Sequence, residues 1–139
     1  MPQYEINIPH HSSKSVEALF EVLSDHAQLG TVLGVPVRRI HDGEDSLNGT
    51  GSVRQIGIGP LNLEETVTDV VPNQRIDYHI SRGGFPIRNH EGRLEFSAGD
   101  GGGSQVVWHI GFDSELPAAG GIVKTVLERV IKRGLAKIG

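Results

Sequence analysis

A chain of 139 residues with 37% apolar side chains is long enough for one core and too short for two, so a single domain over 1–139 is expected. Its 17 acidic and 13 basic residues leave a formal charge of −4, which provides no global field for nucleic acid, and the absence of cysteine excludes disulfides, thiolate nucleophiles and cysteine-ligated zinc. The opening MPQYEINIPHHSSKS lacks a basic segment followed by an apolar one, and no apolar run reaches the roughly 18 residues needed to span a bilayer, so a cytoplasmic protein without integral membrane association is the expectation.

QYEINI at 3–8 alternates, with Tyr4, Ile6 and Ile8 on one face, and predicts a half-buried strand ended by Pro9. Ser13 is placed to cap a helix in which Val16, Leu19, Phe20 and Leu23 recur on one stripe. Asp25 followed by Gln28 resembles a capping box and starts a second short helix with Leu29, Val32 and Leu33, stopped by Gly34 and Pro36. Strand patterns then occupy 37–42, 51–58, 61–71, 75–81, 87–97 and 104–113. The turns between them, among them Pro72-Asn73, Arg82-Gly83-Gly84 and the Gly99–Gly103 stretch, are too short for a crossover helix, which makes this part an antiparallel meander. GDGGG at 99–103 lacks the lysine and hydroxyl residue of a phosphate loop and precedes a strand, so it reads as a hairpin turn.

Pro117 sits near the first turn of a last helix over about 118–137, where Ile122, Val123, Val126, Leu127, Val130, Ile131, Leu135 and Ile138 form a wide apolar stripe. Its polar side carries Lys124, Arg129, Lys132, Arg133 and Lys137 against Glu128 alone, a charge that suits anionic headgroups or an acidic partner, or simply faces water. Nucleic-acid binding lacks the interleaved aromatic residues of a stacking surface.

Alternation fixes which side chains share a face. Val106, Trp108, Ile110 and Phe112 lie together, as do Leu61, Leu63, Glu65 and Val67, then Ile76, Tyr78 and Ile80, while Leu94 and Phe96 choose the inner side of their strand. The expected fold is α+β: a strongly curved seven-stranded antiparallel sheet wrapped around the long C-terminal helix, with two short helices after the first strand. Gly57, Gly92 and Gly111 are available to relieve the curvature, and the space enclosed would hold a hydrophobic ligand, with Val123 and Leu127 of the helix completing its lining.

The order of these elements resembles the START/Bet v 1-like helix-grip superfamily (SRPBCC), particularly its bacterial polyketide cyclase/dehydrase and lipid-transport branch. The resemblance is carried by VEALFEVLSD at 16–25, GSVRQIGIG at 51–59, EETVTDVVPNQRIDYHI at 64–80, PIRNHEGRLEF at 86–96 and SQVVWHIGF at 104–112, and it covers nearly the whole chain. Phe20 stands where many relatives have tryptophan. The resemblance implies architecture and a ligand cavity, but no shared catalytic set.

Glu65, between Leu63 and Val67, reads either as a general acid or base, or ligand anchor, or as an internal salt-bridge partner or rim residue. On one register His90 and Arg88 share a face with Leu94. His90 could then move protons and Arg88 hold an enolate or carboxylate, or both face water at the cavity mouth. Tyr78 and Trp108 suit stacking on a ring-bearing ligand as well as core packing. The remaining histidines, His10, His11, His26, His41, His79 and His109, show no metal-ligand spacing and read as solvated, so neither metal nor cofactor is expected. The leading function is binding of a hydrophobic small molecule: a lipid, polyketide or aromatic metabolite. The alternatives are a cyclase, dehydratase or isomerase with Glu65, His90 and Arg88 as catalytic groups, and a regulatory or stress-linked interaction protein without catalysis. A homodimer is compatible with all three.

Overall fold

The computed structural model describes residues 2–57 and 62–139. Their elements are β1 (Tyr4–Ser12), α1 (Val16–Ser24), α2 (His26–Leu33), β2 (Val37–His41), β3 (Val53–Ile56), β4 (Leu63–Val71), β5 (Arg75–Arg82), β6 (Ile87–Ala98), β7 (Ser104–Ser114) and α3 (Ala119–Ile138). The first strand runs past Pro9, which an edge strand tolerates because one side of its ladder needs no donors. Ser15, not Ser13, caps α1 by accepting from the Ala18 amide at 3.1 Å. Asp25 caps α2, taking the Ala27 amide at 2.9 Å and the Gln28 side-chain amide at 3.2 Å, and Gly34 ends that helix at φ 73°, a left-handed conformation. Leu61, expected on the inner face, lies outside the described residues.

All strand pairs are antiparallel, in the linear order β1-β7-β6-β5-β4-β3-β2. The sheet is open, with β1 and β2 at opposite edges, and it is not strongly curved. The expectation of a strongly curved sheet wrapped around the last helix is therefore corrected: α3 packs chiefly on β1 and α2, with a smaller contact on β7. The glycines expected to bend the sheet serve other ends. A Cβ on Gly92 would stand 2.1 Å from the Tyr78 ring, and one on Gly111 would stand 3.0 Å from Pro2. Gly57, at φ 84°, follows the end of β3.

The core gathers Ile6 and Ile8 of β1, Leu19 and Leu23 of α1, Leu29 and Val32 of α2, and the alternating inner residues of β4 to β7, with Ile131 and Leu135 of α3. Phe20 meets Phe96 edge-on at 5.2 Å. The apolar stripe on α3 is only partly used. Ile131, Gly134 and Leu135 are buried and Val123 and Leu127 half-buried, but Ile122 and Val126 are exposed. Gly134 is what lets α3 approach α2, because a Cβ there would lie 2.1 Å from the Val32 carbonyl oxygen.

Candidate functional site

Among the described residues, the inner face of the sheet carries a buried cluster of charged and aromatic polar groups set in a mainly apolar wall. Arg54 on β3 is 3% exposed and directs Nε and Nη2 to the same Glu65 oxygen, Oε1, at 2.9 and 2.8 Å; Glu65 is directly across the ladder on β4. The guanidinium also lies over the Tyr78 ring, 4.9 Å from its centroid. Tyr78 accepts a hydrogen bond from Trp108 Nε1 at 2.8 Å, and its own proton has no protein acceptor among the described residues. Burial, reinforced by the Glu65 charge, raises the Tyr78 pKa, so the hydroxyl stays protonated.

His90 lies beside Tyr78, with ring centroids 5.5 Å apart. Its Nδ1 accepts the Ile80 amide at 3.1 Å, which leaves the proton on Nε2. Burial lowers its pKa, outweighing the pull of Glu65 in the other direction, so the imidazole is neutral at pH 7. The cluster thus offers two neutral donors, the Tyr78 hydroxyl and His90 Nε2, above an ion pair whose two members are committed to each other.

The structure brings Glu65, Tyr78, His90 and Trp108 together, and places Val67, Leu94, Ile110 and Phe112 in the wall around them. Leu63, Val123 and Leu127 are half-buried at its margin. Arg88 does not join them: it is exposed, opposite Asp113. Asn89, at φ 52°, sits in an irregularity between Arg88 and Glu91 that shifts the alternation, so His90 turns inward and Arg88 outward. Arg54 was missed, although the signal was present: in VRQI it has the same parity as Ile56, a cation on an apolar face that mirrors Glu65.

His26, expected to be solvated, is 1% exposed. It opens α2 under the β3 strand, its Nε2 3.5 Å from the Ser52 hydroxyl and its Nδ1 without a partner among the described residues. Burial and then the Arg54 and Arg39 cations pull its pKa down to about 3. A histidine that protonates more readily when unfolded contributes its full stability above about pH 6.5 and loses it as pH falls toward 3. Between pH 7 and pH 4 the unfolding free energy is expected to drop by about 3 kcal/mol from this residue. Urea unfolding across that range should show a shallower slope in His26→Gln; an unchanged slope would assign the acid sensitivity elsewhere.

A second feature lies on the opposite, water-facing side of the sheet. It is an open depression of about 760 Å³ whose walls include Glu5, Asn7, Asp77, His79, Arg93 and His109, and it reaches between them to Tyr78, His90, Gly92 and Ile110. Its charges largely satisfy one another: Arg93 holds Asp77 through both oxygens, at 2.7 and 3.2 Å, and His109 meets Glu95 at 2.9 Å and Asn7.

Seven antiparallel strands, two short helices after the first, and a long C-terminal helix define a START/Bet v 1-like protein of the helix-grip (SRPBCC) class. The chain belongs to the polyketide cyclase/dehydrase and lipid transport family, which it matches over residues 6–139. Among solved structures it is similar to a protein from Nitrosospira multiformis (17% identity, TM-score 0.74, covering 96% of this chain and 94% of that one). It is also similar to the protein XoxI from Bacillus cereus (14%, TM-score 0.74, covering 96% and 92%) and to the Aha1 dimer from Colwellia psychrerythraea (14%, TM-score 0.70, covering 94% and 92%). At these identities the likeness carries the fold alone. No curated protein sequence matches the chain. Among the described residues no helix is long and apolar enough to cross a membrane.

Proposed function

We propose that the chain binds a hydrophobic small molecule, a lipid, polyketide or aromatic metabolite, on the inner face of its sheet beside α3. The observation that carries this reading is a gradient of burial along that face. On the strands that α1 packs on, Leu94 and Phe96 of β6 and Val106 and Trp108 of β7 are buried, while Val16, Phe20, Val22 and Leu33 of the two short helices are themselves half covered. Toward the other end, where the 83–86 and 115–118 loops lie, Ile56, Leu63, Ile80, Ile87, Val123 and Leu127 are only half covered. A folded chain gains from covering such a patch, and an apolar ligand would do so. Just beneath it, the Tyr78 hydroxyl and His90 Nε2 are placed to donate to a ligand carbonyl or hydroxyl, which gives orientation to an otherwise non-directional site. Membership of a family described by polyketide cyclisation and lipid transport points to the same ligand class.

The proton-transfer alternative rests on His90, a neutral imidazole held in one tautomer next to a phenol. In it Glu65, bound by Arg54, holds the wall in place and the mobile proton belongs to His90.

An environment-sensitive apolar fluorophore is expected to bind saturably at low-micromolar or tighter concentration, and Leu127→Asp to weaken it at least about tenfold while the circular dichroism spectrum is unchanged. Absence of saturable binding, or equal binding by the variant, would remove the reading. Native mass spectrometry of a ligand retained from the host separates carrier from enzyme: a carrier returns it unaltered on incubation, whereas an enzyme returns a product.

A further inference from the structure

The helix α3 carries a feature that the ligand site does not use. Ile122, Val126, Arg129, Arg133 and Lys137 step by four, three, four and four residues, so they form one row along the helix, about 22 Å long at 1.5 Å per residue. All five are exposed, Ile122 at 66% and Val126 at 52%. The first two positions are apolar and the last three cationic. None of the three cations has an ion-pair partner among the described residues, whereas most other arginines on the sheet are paired. Glu128, the lone acid of α3, is half-buried and about a quarter-turn away from the row. Five cations against one acid on this helix oppose the −4 of the chain as a whole, so the positive charge is concentrated on one element.

The apolar end of the row continues onto the neighbouring loops. Phe85 is 70% exposed and Leu116 is 46% exposed. The Glu115 amide donates to the Pro86 carbonyl at 2.9 Å and the Ala119 amide to the Leu116 carbonyl at 3.1 Å, which ties both loops to the start of α3. Four large apolar side chains without cover thus stand on or beside the first half of α3, and the run of unpaired cations occupies its second half. Glu115 is the acid at that margin.

We propose that this surface docks the protein on an anionic phospholipid bilayer, with α3 lying along the membrane plane. The cations meet lipid phosphates and carboxylates, and Phe85, Leu116, Ile122 and Val126 enter the boundary between headgroups and acyl chains. A bilayer fits both halves of the row at once, since it supplies negative charge and apolar depth without a complementary shape. The inference stands apart from ligand binding. Were both to hold, the half-covered end of the inner face, which lies beside the same loops, would face the lipid.

Sedimentation with phosphatidylcholine vesicles containing roughly 30% phosphatidylserine is expected to carry the protein down, with affinity falling as salt is raised, and pure phosphatidylcholine to carry down little. Arg129→Gln, Arg133→Gln and Lys137→Gln combined should weaken anionic-vesicle binding about 100-fold, and Ile122→Ser with Val126→Ser about tenfold. All five positions are exposed, so both variants should keep the parent's circular dichroism spectrum and fluorophore affinity. That readout separates a failure here from a failure of the ligand site. Wild-type protein that stays in solution with anionic vesicles, or a triple variant that sediments like the parent, overturns the proposal. So does retention on polyglutamate without vesicle binding, which would indicate an acidic protein partner, or burial of the row in a dimer seen by analytical ultracentrifugation.

Discussion

Replacing Arg54 with methionine is expected to lower the unfolding free energy by about 3–5 kcal/mol, because it strands the Glu65 carboxylate in an apolar wall. Arg54 is 3% exposed and Glu65 8%, and among the described residues Arg54, at 2.8 and 2.9 Å, is the side chain that pairs with Glu65. The loss should be far smaller in the double variant Arg54→Met/Glu65→Leu, since removing both charges also removes the cost of keeping them from water. Urea titrations of the parent, the two single variants and the double variant give the coupling directly. If Arg54→Met unfolds at the same denaturant concentration as the parent, the ion pair is not what holds β3 against β4 on this face.

The second large effect is expected at the contact between α2 and α3. Gly134→Ala should cost at least about 2 kcal/mol and roughly 5–10 °C in Tm, although alanine favours a helix by about 1 kcal/mol over glycine. The new Cβ would meet the Val32 carbonyl oxygen at 2.1 Å and the Val32 carbonyl carbon at 2.8 Å, and backbone cannot rotate away as a side chain can. Gly121→Ala on the same helix is the control. A Cβ there has nothing within 4 Å, so only the helix propensity changes and the variant should gain about 0.5 kcal/mol. Equal and favourable shifts at both positions would mean that α3 does not depend on close approach to α2.

Most of the architecture was legible from local patterns. The period-two runs placed all seven strands, six of them to within two residues at each end where described, and Asp25 with Gln28 announced α2. The exception is β1, which runs four residues past its expected end to Ser12, while β3 is the shorter Val53–Ile56 within its run. What escaped was non-local. Whether a glycine bends a sheet depends on what fills the space its missing side chain leaves, and at Gly92 that space holds the Tyr78 ring. Arg88 was misplaced because a single left-handed residue, Asn89, changed the parity of a strand that otherwise alternates cleanly. His26 looked like a loop residue because α1 and α2 are separated by Asp25 alone. That tight junction turns its imidazole under β3 toward Ser52. For the site, Glu65, Tyr78, His90 and Trp108 could be placed on one face by counting, but their pairing with Arg54 required the register between β3 and β4.

An open sheet also exposes two margins to which a stray β segment from another molecule could add. On one side, β2 is only five residues long and carries Arg38, Arg39 and His41. On the other, β1 contains Pro9, which has no amide hydrogen to offer. Short length and positive charge at one margin, and a missing donor at the other, discourage such templated growth, so a sheet that never closes can still remain discrete when crowded.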